Sequence, residues 1–255
     1  LSGAISVTAG SIKLGETGTL ASTVSMSGGT LDADESMTLS GALTQSGAIT
    51  IDVADNKTLS YSGASLSLGA NTLYFNGDGT LSNTNALSLD NADSLLWIDG
   101  DIVIGDVDVT VASNTGGDVG WMTTGRKGIK VRGSTTIGNI NVSAESYLGI
   151  STTGTLGGQL NVQSNGVLNF EGRGEFTGDI ALAGGKFSWV LMGENTSNAP
   201  GALSGTLSVT ADSELSVSTG NTLELSQDGG LSLGANTLTL SGGGTLESGV
   251  LYLDN

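Results

Sequence analysis

The stretch Leu66-Ser67-Leu68-Gly69-Ala70-Asn71-Thr72-Leu73 returns letter for letter as Leu231-Ser232-Leu233-Gly234-Ala235-Asn236-Thr237-Leu238, and its flanks keep step with it. Upstream, Leu39-Ser40-Gly41 pairs with Leu203-Ser204-Gly205. Downstream, Leu87-Ser88-Leu89-Asp90-Asn91 pairs with Leu251-Tyr252-Leu253-Asp254-Asn255. Nearer the start, Val24-Ser25-Met26-Ser27-Gly28-Gly29 aligns with Ile180-Ala181-Leu182-Ala183-Gly184-Gly185. Residues 1–91 and 156–255 therefore read as duplicated blocks around a divergent middle block, 92–155, within one continuous domain. Such duplication suits a quasi-one-dimensional stack, in which each unit needs only its neighbours.

Inside the blocks runs a shorter phrase: an apolar residue, two or three small or polar ones, then two apolar residues separated by one polar residue. Examples are Leu156-Gly157-Gly158-Gln159-Leu160-Asn161-Val162, Ile137-Gly138-Asn139-Ile140-Asn141-Val142 and Leu203-Ser204-Gly205-Thr206-Leu207-Ser208-Val209. The alternation at its end has period two, so successive side chains point to opposite faces of a strand. The phrases recur at roughly 20 residues, the length of one solenoid coil. Gly, Asn and Asp between them tolerate left-handed backbone angles and mark corners. The fold predicted is an all-β, right-handed parallel β-solenoid of about a dozen coils of roughly 20 residues each. Leu73, Leu207, Val209 and Leu238 are expected to be buried and to stack on equivalent residues of adjacent coils. An antiparallel sandwich is the rival, but Asn-Gly and Asp-Gly hairpin signals are few and a block repeat has no natural place in it.

Composition narrows the function. Glycine numbers 42 with no three-residue period, which excludes collagen, and apolar residues make up 37%, too many for a disordered linker. The chain has 25 acidic against 8 basic residues, a formal net charge of −17, which disfavours nucleic acid and anionic lipid as partners. It has no cysteine and no histidine, so disulfides, Cys/His zinc sites and histidine-dependent triads are excluded. Apolar runs such as Ser94-Leu95-Leu96-Trp97-Ile98 are far shorter than the roughly 20 residues of a membrane-spanning helix. The chain opens directly on a repeat phrase at Leu1, which suggests a processed product or a piece of a longer protein.

Phrases such as Gly244-Thr245-Leu246, Leu238-Thr239-Leu240-Ser241-Gly242-Gly243 and Gly28-Gly29-Thr30-Leu31 resemble the β-strand repeats of bacterial autotransporter passenger domains and filamentous-haemagglutinin-type adhesins. The resemblance implies a parallel β-helix displayed outside the bacterial cell, in adhesion, aggregation or matrix formation, with host or matrix glycans as partners. The expectation is a non-enzymatic extracellular rod or fibre subunit that joins head to tail in a filament or continues into a longer chain.

Three groups of residues are candidates for chemistry. Asp99, Asp101, Asp106 and Asp108 form the most acidic stretch. With Val107, Val109 and Val111 inward, Asp106 and Asp108 share an outer face, where carboxylates hold Ca²⁺ or act on a sugar. This supports the alternative of a pectate-lyase-like, polysaccharide-binding or polysaccharide-degrading solenoid. No ligand ladder repeats with the coils, so neither Ca²⁺ nor any other cofactor is expected to be needed for folding. Arg126, Lys127, Lys130 and Arg132 gather half of all the cations into one segment, a candidate contact for an acidic partner. Trp189 and Pro200 mark an insertion, Trp189 to Gly201, that breaks the coil rhythm and is a candidate binding loop. Asn91 to Gly120 is a second such insertion.

Overall fold

The computed structural model of the chain describes residues 3–110, 128–172, 174–190, 201–225, 230–248 and 251–252. It is a parallel β-solenoid, without a helix among the described residues, of about ten turns of about 22 residues. The main face is an eleven-stranded sheet running from Ser11–Leu14 through Thr30–Ala33, Ile49–Val53, Thr72–Asn76, Leu95–Asp99, Gly128–Arg132, Tyr147–Thr152, Val167–Gly172, Lys186–Val190 and Ser213–Val217 to Leu238–Gly242. Every pairing in it is parallel and joins one coil to the next. Two further faces close each coil. One carries, for instance, Thr58–Tyr61 beside Thr80–Asn83, and the other Leu87–Leu89 beside Val107–Val109.

Turns are fewer and longer than the repeat phrases suggest because five coils advance by 23 residues or more, two of them through the insertions. From Ile98 to its register partner Val131 the chain advances 33 residues, and from Trp189 to Val217 it advances 28, whereas Ile12 to Leu31 takes 19.

The period-two alternation places one row of side chains inside. On the main sheet the row Ile49, Leu73, Leu96, Ile129, Ile150, Phe170, Trp189 and Val217 runs in register, and none of these residues is more than 5% exposed. On another face Ile180, Leu207 and Leu231 stack in the same way. Leu73 and Leu207 are fully buried and Val209 is 3% exposed. Leu238 departs from expectation: it is only partly buried, and its neighbour Leu240 is 59% exposed. The repeated octapeptide makes the same turn in both copies, with Asn71 and Asn236 donating backbone N–H bonds of 3.1 Å to Leu68 and Leu233 and with Gly69 and Gly234 at φ of 53° and 54°. Identical local structure thus meets different burial. Leu73 lies between the coils of Ile49 and Leu96, while the strand of Leu238 is covered on one side alone among the described residues.

Glycine serves where coils nest. A Cβ on Gly178 would stand 1.5 Å from the carbonyl oxygen of Gly158, so only a residue without a side chain lets the coils approach at that corner. A four-residue turn recurs at two other corners, closed by Lys57 N–H to Ala54 and Asn221 to Ser218 where the chain leaves the main sheet and by Ser146 to Ser143 and Gly166 to Gln163 where it enters it. Its third residue has positive φ and is Asn56, Asn165 or Gly220, residues suited to that region, but in one coil it is Glu145 at 59°.

Candidate functional site

The four acidic candidates do not converge. Asp99 ends a strand of the main sheet, whereas Asp108 lies on the strand Val107–Val109 of another face. Val107 and Val109 are buried, which leaves Asp108 half-buried and pointing outward, as the alternation requires. Each carboxylate is tied to the following coil. Asp101 Oδ1 accepts the Ser134 N–H at 2.6 Å, and Asp106 Oδ1 accepts the Asn139 N–H at 2.8 Å and its side-chain Nδ2–H at 3.0 Å. Asp108 Oδ1 accepts from Asn141 Nδ2 at 2.9 Å, and Asn141 Oδ1 in turn accepts from Asn161 Nδ2 at 2.9 Å, a ladder of three coils. Asp99 lies 3.9 Å from Arg132 on the next strand.

The same use of aspartate recurs elsewhere. Asp78 takes the Asp101 N–H, Asp179 the Thr206 N–H and Asp212 the Thr237 N–H, all between 2.8 and 3.0 Å. A corner interrupts the sheet ladder and leaves an amide without a carbonyl partner. A carboxylate one coil back supplies the acceptor in a bond worth roughly 1.5–3 kcal/mol where water is excluded and less at exposed corners. Much of the acidity of this stretch is therefore spent in joining coils. Among the described residues no three acidic side chains form a group able to hold a metal ion.

Trp189 must be corrected as a contact candidate. It is fully buried and stacks on Phe170 at 4.7 Å with 10° between the rings, while Phe187 meets it edge-on at 6.1 Å. Its sequence position beside an insertion suggested exposure, but it alternates in phase with Phe187, so both face inward. Arg126, Lys127, Pro200 and Val111 lie outside the described residues.

The other two cations are brought together on the outside of the main sheet. Lys130 Nζ sits 4.9 Å and Arg132 Cζ 5.1 Å from the centre of the Trp97 ring, close enough for cation–π attraction. Trp97 in turn contacts Tyr74 of the preceding coil at 5.8 Å. In register, Thr30, Thr50, Tyr74, Trp97 and Lys130 form one outward column, and Lys13, Asp32, Asp52, Asn76, Asp99 and Arg132 the adjacent one. Neither Tyr74 nor Trp97 was singled out by motif. The signal was there: each stands between two inward apolar residues, in Leu73-Tyr74-Phe75 and Leu96-Trp97-Ile98, one coil apart. Further along the first column the surface closes, with Ser151 8% and Glu171 1% exposed.

The acidic end of this face holds one cation. Lys13 Nζ is 2.5 Å from Asp34 and 4.0 Å from Asp32. The hydrogen bond from Lys13 holds the Asp34 carboxyl below the usual range, and Asp34 raises Lys13 by that bond and by its charge. Desolvation and then the charge of Asp34 push Asp32 up. On a later coil, Ser241 and Lys186 both donate to Glu214, at 2.6 and 2.9 Å, and lower its carboxyl in that order. A corner recess of about 490 Å³ lies between Gly220–Thr222 and Gly243–Thr245, with Glu247 the one ionisable residue among its described lining.

Comparison of the chain with protein-family models, with curated proteins and with solved structures gives no match.

Proposed function

We propose that this chain is a non-enzymatic scaffold: a stiff β-solenoid rod, displayed outside a bacterial cell, with a structural or adhesive role. One observation carries the proposal. The eleven-stranded sheet continues in register from Ser11–Leu14 to Leu238–Gly242, with an apolar row beneath it from Ile49 to Val217, so hydrogen bonds and packing run along one axis. Bending such a body strains many inter-coil bonds at once, which is the property a spacer or fibre requires. The acidic residues support the same reading, because their carboxylates take inter-coil hydrogen bonds instead of converging on a cleft.

The rod is suited to join end to end. Leu240 faces inward in register with the buried Leu215 but is 59% exposed, and Ile5, Ile12 and Leu14 are only partly buried at the opposite end of the stack. A second copy placed head to tail, or further coils of a longer chain, would cover both apolar ends and extend the ladders; the first is a non-closing arrangement that yields filaments.

The test is electron microscopy and light scattering of the purified chain across concentration. Filaments or rods lengthening with concentration, and their loss in Leu240→Asp, are the expected result. Compact monomers at all concentrations would refute end-to-end growth. An assay for new reducing ends or unsaturated uronides on acidic glycans addresses the scaffold role separately. Turnover that disappears in Asp106→Asn or Asp108→Asn would replace it with the polysaccharide-degrading alternative.

A further inference from the structure

The outward face of the main sheet carries a charge pattern that is its own complement. In the column Asp52, Asn76, Asp99 and Arg132, an acid stands at one end and a base at the other, one residue per coil. The adjacent column reads Thr50, Tyr74, Trp97 and Lys130, with its two aromatics at the middle. Now place a second copy face to face, related by a two-fold axis that runs parallel to the strands between Thr72–Asn76 and Leu95–Asp99. Such an axis reverses the order of the coils and keeps each column opposite itself. Arg132 then stands opposite Asp52, Asp99 opposite Asn76, Trp97 opposite Tyr74 and Lys130 opposite Thr50, each contact occurring twice.

The side chains are prepared for this. Arg132 and Lys130 both lie against the Trp97 ring, which gathers their donors at the outer surface of the sheet. Arg132 has a side chain 61% exposed and only a 3.9 Å approach to Asp99. Among the described residues Asp52 and Lys130 make no ion pair, whereas Lys13, Lys57 and Lys186 each hold a carboxylate at 2.9 Å or less. Half-buried Tyr74 and Trp97 supply the amphipathic, rigid surface at the centre that interfaces favour.

We infer that this face pairs two copies of the chain side by side and antiparallel, with Tyr74 and Trp97 at the two-fold and Asp52–Arg132 pairs on either side. The contact is lateral and independent of end-to-end growth. The rods carry a net charge of −17 each, so pairing needs enough salt to screen their overall repulsion while the short-range pairs persist, a Debye length of about 8–10 Å at roughly 0.1–0.15 M.

The experiment is sedimentation equilibrium of the full chain in Leu240→Asp, which removes end-to-end growth, at moderate ionic strength. Asp52→Arg, Arg132→Asp, their combination and Trp97→Ala are compared in that background, with circular dichroism to confirm the fold. The expected result is a reversible dimer, weakened about tenfold or more by each single charge reversal and by Trp97→Ala, and recovered in the double reversal. A monomer at every concentration, single reversals without effect, or a double reversal no better than the singles would overturn the proposal. The fate of filaments in the chain with Leu240 intact reports separately on end-to-end growth.

Discussion

Replacing Leu207 tests the register of the whole stack, because its side chain is fully buried between Ile180 and Leu231 of the neighbouring coils. Truncation to alanine removes the transfer energy of the buried atoms and leaves a cavity that close coil spacing prevents from collapsing, about 2–5 kcal/mol in total. Leu207→Asp adds an unpaired carboxylate, because the described residues on either side in the row are apolar, and its cost exceeds that of alanine by several kcal/mol. Against a total stability of about 5–15 kcal/mol this is enough to open the affected coils. A solenoid loses stability locally, so the assay should resolve position: urea unfolding followed by circular dichroism, together with amide hydrogen exchange. Exchange should accelerate first in Ile180, Leu207, Leu231 and their strands. The matched control is Val103→Asp, where 45% exposure lets the carboxylate stay hydrated and holds the change to about 0.5 kcal/mol. If Leu207→Asp unfolds at the same urea concentration as the parent, or if both substitutions cost the same, the inward register is wrong.

Gly178→Ala should destabilise through overpacking by about 1–3 kcal/mol or more, since the new methyl would stand 1.5 Å from the Gly158 carbonyl oxygen; an unchanged melting temperature would show that this corner has room. Glu145→Gly should stabilise by up to about 1 kcal/mol by relieving a non-glycine residue at φ 59°, and a fall in denaturation midpoint would count against strain there. Asn141→Asp sets a second carboxylate against Asp108 and removes the donor of the bond between them, so its melting temperature should drop at neutral pH and recover towards the parent on acidification. Glu214 has a lowered carboxyl in the folded state, so the unfolded chain binds its proton more readily. Its contribution is present above the ordinary glutamate value and lost as pH falls through the folded one. The melting-temperature gap between the parent and Glu214→Gln should accordingly close over that acid window, and a gap independent of pH would refute it.

What the sequence determined alone follows from rules that act between neighbours in the chain. Alternation of apolar and polar residues fixes which side chains face inward, as at Leu73, Leu207 and Val107, because the strand period is two whatever the tertiary setting. The repeated Leu-Gly-Ala-Asn turn is likewise local, and both copies adopt it. The parallel stack follows from coil-length repetition, since units of this size bury their apolar side only against each other. The tertiary structure decided whatever depends on which coil lies next door. Leu238 repeats the sequence of Leu73 but not its burial, because burial is set by the neighbouring coil and not by the octapeptide. Asp99 and Asp108 are close in sequence yet sit on different faces, while Tyr74, Trp97 and Lys130, separated by whole coils, become one contact line. The 33 residues from Trp97 to Lys130 exceed the usual turn of about 22, so no fixed spacing predicts that they meet. Register across the coil sets it, through hydrogen bonds that join residues 33 positions apart.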